Sequence, residues 1–569
     1  MQRAALFEQG SSQSARPQRS RSALLLVFVG LIALCLGLYR GALSGPFVSD
    51  DISLVQNNPF VTSPDANLLE VFDPLSDARF LGGGNYMPIP FTAHAVEWRL
   101  WGPETRGYHV VNLLLHALNA TLLVALLWGS GVTTRTAVVA GAFFAVHAAN
   151  VEAVAWISQL RTLLAFAFSL TALLCIQRRP VLSVPLFALA LLSKASAAFA
   201  WPMACALYWA SRRRGETGKR TGMAPVLWAL VLVVYAPTQL LTFSEVASPL
   251  VDPYPDAATM FRSIVAIGAR YLVMAATGYG TAAFHEPEPV ASNLDPWFLS
   301  GVAIAIVLLW RIAVTLQRGD DEAAWWIGAA AAFAPISQIL PFTFAMGDRY
   351  LYFILPGLIG GTLLASRRVA DVIARRPEDS WLGPRSLPGL SRTAAVAAAA
   401  LLLVLAFQTN GRAGLWISQE RLNHDAMARY PEGSVAHYLK ARAAAQKHDA
   451  DRTLFHLQRF SQRGGAISYY LEDAAFKPFR SDPRFVAFTR EGVENLIARI
   501  NEREQRTQRS LRDLAGAHQV LGDLDKAIDL AEQGLRMGGR FQSELVRLRW
   551  QWSQERTQAP RTRGGNASD

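Results

Sequence analysis

The chain has 569 residues and a formal net charge of +11, from 55 Lys and Arg against 44 Asp and Glu. Apolar residues make up 51% and charged residues 17%, with a mean hydropathy of +0.19 and a mass of 62.3 kDa. A soluble protein carries about 25% charged residues, so the balance argues against disorder, coiled coil and an ordinary cytosolic enzyme, and for a multi-span membrane protein of two or more units.

In a soluble protein the excess of positive charge would point to nucleic acid. Here Arg212 to Arg214, Arg367 with Arg368, and Arg375 with Arg376 stand beside apolar runs, and read as inner-leaflet anchors. Cys35, Cys175 and Cys205 lie in apolar segments and form neither a metal pattern nor a disulfide framework.

Residues 1–22 form a polar, basic tail, assigned to the cytoplasm. The apolar run from Ala23 to Leu38 ends without a small-x-small cleavage site, so it reads as an uncleaved first span. Residues 44–106 then form an outer loop carrying Asp50, Asp51, Asp65, Asp73, Asp77 and Glu97. Further apolar stretches lie near 107–129, 134–149, 160–176, 181–194, 196–210, 222–243, 263–283, 297–315, 324–342, 350–366 and 392–408. Several fall short of the roughly 20 residues of a simple span, so broken or tilted helices are expected, with Pro202, Pro335, Pro341 and Pro356 favouring kinks.

The basic segments Arg212–Arg220 and 367–390 belong inside by charge bias, which gives about eleven crossings within a transmembrane domain over 23–409. Between those anchors one stretch is then not a full crossing. The weakest, 263–283 with Arg270, Gly278 and Gly280, is expected to be interfacial or re-entrant. Residues 410–556 are polar and helix-forming and form an outer helical domain, with a disordered tail over 557–569. Leu514–Leu535 reads as a helix, a turn at Gly522–Asp523 and a second helix, with Ala515, Ala527 and Ala531 permitting close approach. His437–Phe460 reads as an earlier helix pair.

Asp50 and Asp51 are the sharpest local signal. Adjacent carboxylates at a membrane surface can take a proton from an acceptor hydroxyl; solvated loop charge or a helix cap is the alternative. His109, Asn112, His116 and Asn119 share one face of a helix, which either orients a site or holds helices together. His147, Glu152 and Arg161 cluster at a short outer turn, where Glu152 can pair with Arg161. Lys194 lies at the outer face, where it can meet a lipid phosphate or snorkel. Asp348 and Arg349 open a late span. The Arg349 fork suits phosphate oxygens, and an Asp348–Arg349 pair anchoring the helix end is the alternative. Arg262 and Arg270 are further candidates for the phosphate role, and no spacing demands a metal.

The segments SDDISLVQNNPFV, YMPIPFTAHAVEWRLWG, GYHVVNLLLHALNATLL, AVHAANVEAVAWISQLRTLLAF, LLSKASA and LPFTFAMGDRYLYF follow one another over roughly residues 40–370. In that order they resemble the membrane mannosyltransferase-like proteins that carry tetratricopeptide repeats, within the GT-C class of polyprenyl-phosphate-sugar glycosyltransferases. The repeat itself is echoed over 508–541. The resemblance implies an all-α polytopic fold: a GT-C-like transmembrane domain with a small C-terminal domain of helical hairpins. It implies an acidic pair at Asp50 and Asp51, one of them the general base, with Asp50 preferred. It places Arg349, with Lys194, Arg262 and Arg270, as donor-phosphate candidates. His109, His116, His147, Glu152, Arg161 and Asp348 would support the site. The chain departs from the family pattern at Ala148 and Asn150, where Pro and His are expected, at Leu160 in place of Arg, and at Ala195 in place of Glu.

The implied activity is inverting transfer of a sugar from a polyprenyl-phosphate donor to a hydroxyl of an extracytoplasmic protein, such as a pilin or another surface protein. The alternatives are a glycolipid or lipid A acceptor, or a non-enzymatic transporter or scaffold. A lipid monophosphate already leaves as a good anion, so no divalent metal is required and no cofactor is called for. Compact size and few repeats imply a bacterial inner-membrane protein, with its N terminus cytoplasmic, its C-terminal domain periplasmic, and undecaprenyl phosphate as the lipid.

Overall fold

The computed structural model describes residues 21–558, apart from 66, 77–84, 217–221, 247–253, 340–344, 375–387, 464, 466–469, 471–472, 502–507 and 538–541. Asp77, Pro341, Arg375, Arg376 and nearly all of the two tails lie outside the described residues. Among the described residues the protein is all-α and polytopic, with one isolated β-bridge between His285 and Met346.

Helix α1 (Arg21–Tyr39) is apolar on every side and largely uncovered by protein, as a lipid-facing helix must be. The outer loop carries the short α2 (Pro59–Thr62) and the longer α3 (Pro88–Trp101). Then follow α4 (Arg106–Gly129), α5 (Thr134–Ala145), α6 (Val151–Ala155), α7 (Leu160–Cys175), α8 (Pro180–Ser193) and α9 (Ala200–Arg213). The remaining membrane helices are α10 (Met223–Val246), α11 (Ala257–Thr277), α12 (Pro296–Arg318), α13 (Glu322–Phe333), α14 (Leu351–Ala374) and α15 (Pro388–Ala413).

Seven of the described helices are long and apolar enough to cross a membrane alone, and α5 with the segment Ala148–Ala155 makes an eighth candidate, bent by 52°. The remainder of the eleven expected crossings would have to come from shorter helices. At about 1.5 Å per residue, the 14-residue α8 and α9 each rise about 21 Å, less than a bilayer core of about 30 Å.

The segment 263–283, expected to be interfacial or re-entrant, belongs largely to the unbroken α11, which passes the length and composition test for a crossing. Phe261, Val265 and Arg270 of α11 meet Phe298, Gly301 and Trp297 in the first turns of α12.

The prolines expected to favour kinks take different places. Pro202 sits in the first turn of α9, where a missing N–H costs no helical bond, and Pro335 lies in the 3-10 turn that ends α13. Pro356 lies inside α14. The α13–α14 contact is a seam of small residues: a Cβ at Gly360 would overlap the Trp325 ring, and one at Gly361 the Trp326 ring.

Basic residues collect at the end of the bundle away from Asp50. Arg214 bonds Gly319 O and Asp321, Arg368 pairs with Asp320, and Arg367 donates to Gly131 O.

Beyond α15 lie α16 (Gln419–Arg429), α17 (Ser434–Gln446), α18 (Ala450–Gln462), α19 (Pro483–Asn501), α20 (Gln508–Val520), α21 (Leu524–Met537) and α22 (Gln542–Gln558). The pair α20–α21 turns at Gly522, whose φ of 83° favours glycine, and Asp523 caps α21 through Lys526 N. Ala515, Ala527 and Ala531 are fully buried in their shared core. A separate core joins α17 and α18 through Ala441, Leu457 and Phe460.

Gly360→Ala is expected to destabilise the protein by about 1–3 kcal/mol, because the added methyl has no free volume beside Trp325. A lowered thermal midpoint of the purified protein in detergent would show it, and an unchanged midpoint would contradict the seam.

Candidate active site

The backbone breaks repeatedly between α5 and α7. Three short turns, Ala148–Asn150, Val151–Ala155 and Ile157–Gln159, replace a continuous helix. Each break frees carbonyls in a buried place, and a buried carbonyl without a donor costs about 1–3 kcal/mol. The polar stripe of α4 supplies the donors. Asn112 Nδ2 donates to Val154 O, Trp156 O and Ile157 O at 3.3, 3.1 and 3.3 Å. His116 Nε2 donates to Ala145 O at 3.2 Å, and Asn119 Nδ2 to Leu163 O at 3.0 Å. His109 Nε2 donates to Gly45 O at 3.0 Å, which ties the outer loop to the same helix. Since Nε2 of His116 carries the proton, its Nδ1 accepts from Tyr352 OH at 2.9 Å. His147 Nε2 donates to Ala275 O at 3.2 Å and joins α11 to the break. The stripe thus ties α4 to the outer-loop carbonyl Gly45 O, to the broken turn, to α7 and to Tyr352.

The two adjacent carboxylates have opposite environments. Asp51 is buried, and accepts from Ser158 N at 2.7 Å and Val48 N at 3.2 Å. Burial pushes its carboxyl up to about 7, against the lowering effect of those N–H donors. Asp50 has a side chain 48% exposed and meets Arg161 Nη2 at 3.3 Å. Asp51 therefore pins the loop to the broken turn, while Asp50 presents its carboxylate to whatever enters.

Around Asp50 stand three cations. Arg161 touches Asp50 and Met87, and its Nε is buried without a partner. Lys194, at the break between α8 and α9, donates to Thr162 Oγ1 at 2.8 Å, and feels the charges of Arg161, Arg349 and Glu152. Arg349 donates from its backbone N–H to Glu152 Oε2 at 2.7 Å, pairs with Glu152 Oε1 through Nη1, and lies 5.3 Å from the Trp156 ring centre. Glu152 thus pairs with Arg349 rather than with Arg161, because the turn carrying it packs on the start of α14. Among the described residues Arg161 pairs with Asp50, Arg349 pairs with Glu152, and Lys194 bonds the Thr162 hydroxyl. Among the described residues the buried Gln159 Nε2 has no hydrogen-bond partner beside the same turn. Such an arrangement suits an anion with several acceptor oxygens.

Asp348 is not paired with the adjacent Arg349. Its buried carboxylate accepts from His285 Nε2 at 2.7 Å, Arg412 Nη2 at 3.2 Å and Ala282 N at 3.3 Å. His285, Arg412, Asp425 and Tyr430 were not flagged by sequence. The only signals were a lone histidine in the loop after α11 and an arginine at the end of α15. Arg262 is engaged by Val290 O, Asn293 and Thr259, and Arg270 lies over Trp297 at 4.7 Å; these contacts do not bring either into the Asp50 group. Among the described residues no group of three His, Cys, Asp or Glu is disposed to hold a metal ion.

No family model matches the chain, and no solved structure matches it. It is similar to a protein O-mannosyl-transferase of Caenorhabditis elegans, 32% identical over 176 residues, which is 29% of this chain and 24% of the relative. It is also similar to a protein O-mannosyl-transferase of Drosophila melanogaster, 38% identical over 132 residues, 22% of this chain and 15% of the relative. The chain spans about a quarter or less of the length of the relatives it matches.

The Asp51 environment makes a pH prediction. Its carboxyl titrates higher in the folded protein than in the unfolded chain, so its stabilising contribution is full below about pH 4 and is lost as pH rises through about 7. The thermal midpoint of wild type is expected to fall relative to that of Asp51→Asn across that window. A relative midpoint that stays flat or rises would sink the assignment.

Proposed function

We propose that the protein is an inverting glycosyltransferase of the outer membrane face, moving a sugar from a polyprenyl-phosphate donor to a hydroxyl of an extracytoplasmic protein. The observation that carries this reading is the half-exposed Asp50 carboxylate paired with Arg161, with Lys194 and Arg349 close by on neighbouring breaks. The likeness to protein O-mannosyl-transferases supports mannose as the sugar and a protein as the acceptor. Transfer to a glycolipid is the other outcome the test below distinguishes.

In this reading the donor phosphodiester, with its single negative charge, lies among the three cations and relieves the crowding of like charge on Lys194. The acceptor hydroxyl approaches Asp50, whose carboxylate takes its proton. The hydroxyl oxygen forms a bond to the anomeric carbon as that carbon's bond to the phosphate oxygen breaks. The electron pair stays on the phosphate, which leaves as a monoester anion. Arg161, Lys194 and Arg349 stabilise the charge as it develops. One displacement inverts the anomeric centre. The lipid tail would lie against the apolar helix faces, and the basic end of the bundle would face the cytoplasm. A bacterial inner membrane, with undecaprenyl phosphate as carrier, fits the reduced C-terminal repeats.

The test is the intact mass of extracytoplasmic proteins from cells lacking the gene, complemented with wild type or with Asp50→Asn. A hexose-sized increment restored by wild type, and lost about 10²–10⁴-fold in rate with Asp50→Asn, is expected. Full restoration by Asp50→Asn would remove the base. No mass change with wild type would remove the protein acceptor and direct the search to lipid extracts.

A further inference from the structure

The loop that leaves α11 runs between the membrane domain and the C-terminal helices, and it is bonded on both sides. On the membrane side Ala282 N and His285 Nε2 donate to Asp348, while Val290 N donates to Ser263 Oγ at 2.8 Å. On the other side Ala283 N donates to Asp425 at 2.8 Å, and His285 Nδ1 accepts from Tyr430 OH at 3.1 Å. Ser434 donates to Glu286, and Arg463 pairs with Glu288 at 2.9 Å. Arg412 closes the group by reaching Asp348 at 3.2 Å and Asp425 at 3.5 Å.

Asp348 is the point at which these bonds meet, and the next residue is Arg349. The backbone there has little freedom. Gly347 is held by the Tyr271 hydroxyl, which donates to its carbonyl at 3.2 Å and accepts from its N–H at 2.9 Å. Asp348 and Tyr350 are buried in a single 3-10 turn, and the Arg349 N–H already points at Glu152. A shift of the Asp348 carboxylate therefore moves the Arg349 backbone against Glu152. The stacked rings of Trp156 and Trp416, 5.5 Å apart, connect the site to the segment Gly414–Ile417 that leads into α16.

We propose that Asp348 is a positioning residue that couples docking of the C-terminal helices, through His285, Arg412, Asp425 and Tyr430, to the placement of Arg349. The C-terminal domain is then part of the phosphate site's construction and not only an arm that presents an acceptor. The proposal rests on the reading of Arg349 as a donor-phosphate contact.

The experiment uses the full chain in phospholipid nanodiscs, with farnesyl phosphate as the probe. Asp425→Ala and the milder Tyr430→Phe alter only the C-terminal side of the group. Two quantities are read below the melting temperature: backbone hydrogen exchange of the segment 345–352, and the Kd for farnesyl phosphate. Asp425→Ala is expected to speed exchange in that segment and to weaken binding at least fivefold, with Tyr430→Phe acting in the same direction but less. Unchanged exchange, or faster exchange with an unchanged Kd, would overturn the coupling, and Tyr430→Phe decides if Asp425→Ala fails to fold. Arg349→Ala is the separate control: if it leaves the Kd unchanged, the phosphate role of Arg349 fails, and the exchange data still judge the mechanical link.

Discussion

Where the helices of a membrane bundle break, backbone groups are freed that lipid cannot satisfy. In this protein the cost falls on α4. The two hydrogens of Asn112 Nδ2 serve three carbonyls of the broken turn at 3.1–3.3 Å, and His116 bonds the carbonyl of Ala145 that ends α5. With those bonds in place the turn between α5 and α7 can present Glu152, Trp156, Ser158 and Arg161 without unfolding into the membrane. Everything proposed for the site depends on this exchange of helical bonds for side-chain bonds.

The breaks at 147–159, at 194 and at 348 lie at the same end of the bundle, and each delivers one element of the cation group. Their spacing along the chain is large, yet their roles are complementary. The outer loop brings Asp50, held in register by Asp51. The α5–α7 turn brings Glu152 and Arg161, the α8–α9 break brings Lys194, and the start of α14 brings Arg349. Electrostatics then distinguishes them. Arg349 is compensated by Glu152 and fixed, Arg161 meets the half-exposed Asp50, and Lys194 bonds the Thr162 hydroxyl.

Much of the fold and part of the site were legible in the residues themselves. The α4 stripe was visible because a 3.6-residue period puts His109, Asn112, His116 and Asn119 on one face. The helix pair around Gly522 was visible because small residues and a turn dipeptide act locally. Ion pairing was much less legible. Glu152 appeared to have Arg161 as its nearest partner, and Asp348 to have Arg349, because proximity in sequence is the only proximity a sequence displays. The structure pairs Glu152 with Arg349 and Asp348 with Arg412, partners separated by 197 and 64 positions.

Composition and periodicity determined a polytopic helical protein with an acidic loop after the first apolar helix and a polar helical C-terminal part, because hydropathy and helical period are properties of short windows. Which aspartate is structural and which faces the opening was decided only by tertiary contacts. Asp50 and Asp51 are chemically identical neighbours, and the difference between them is made by two backbone N–H groups, one of them from Ser158 on a distant turn.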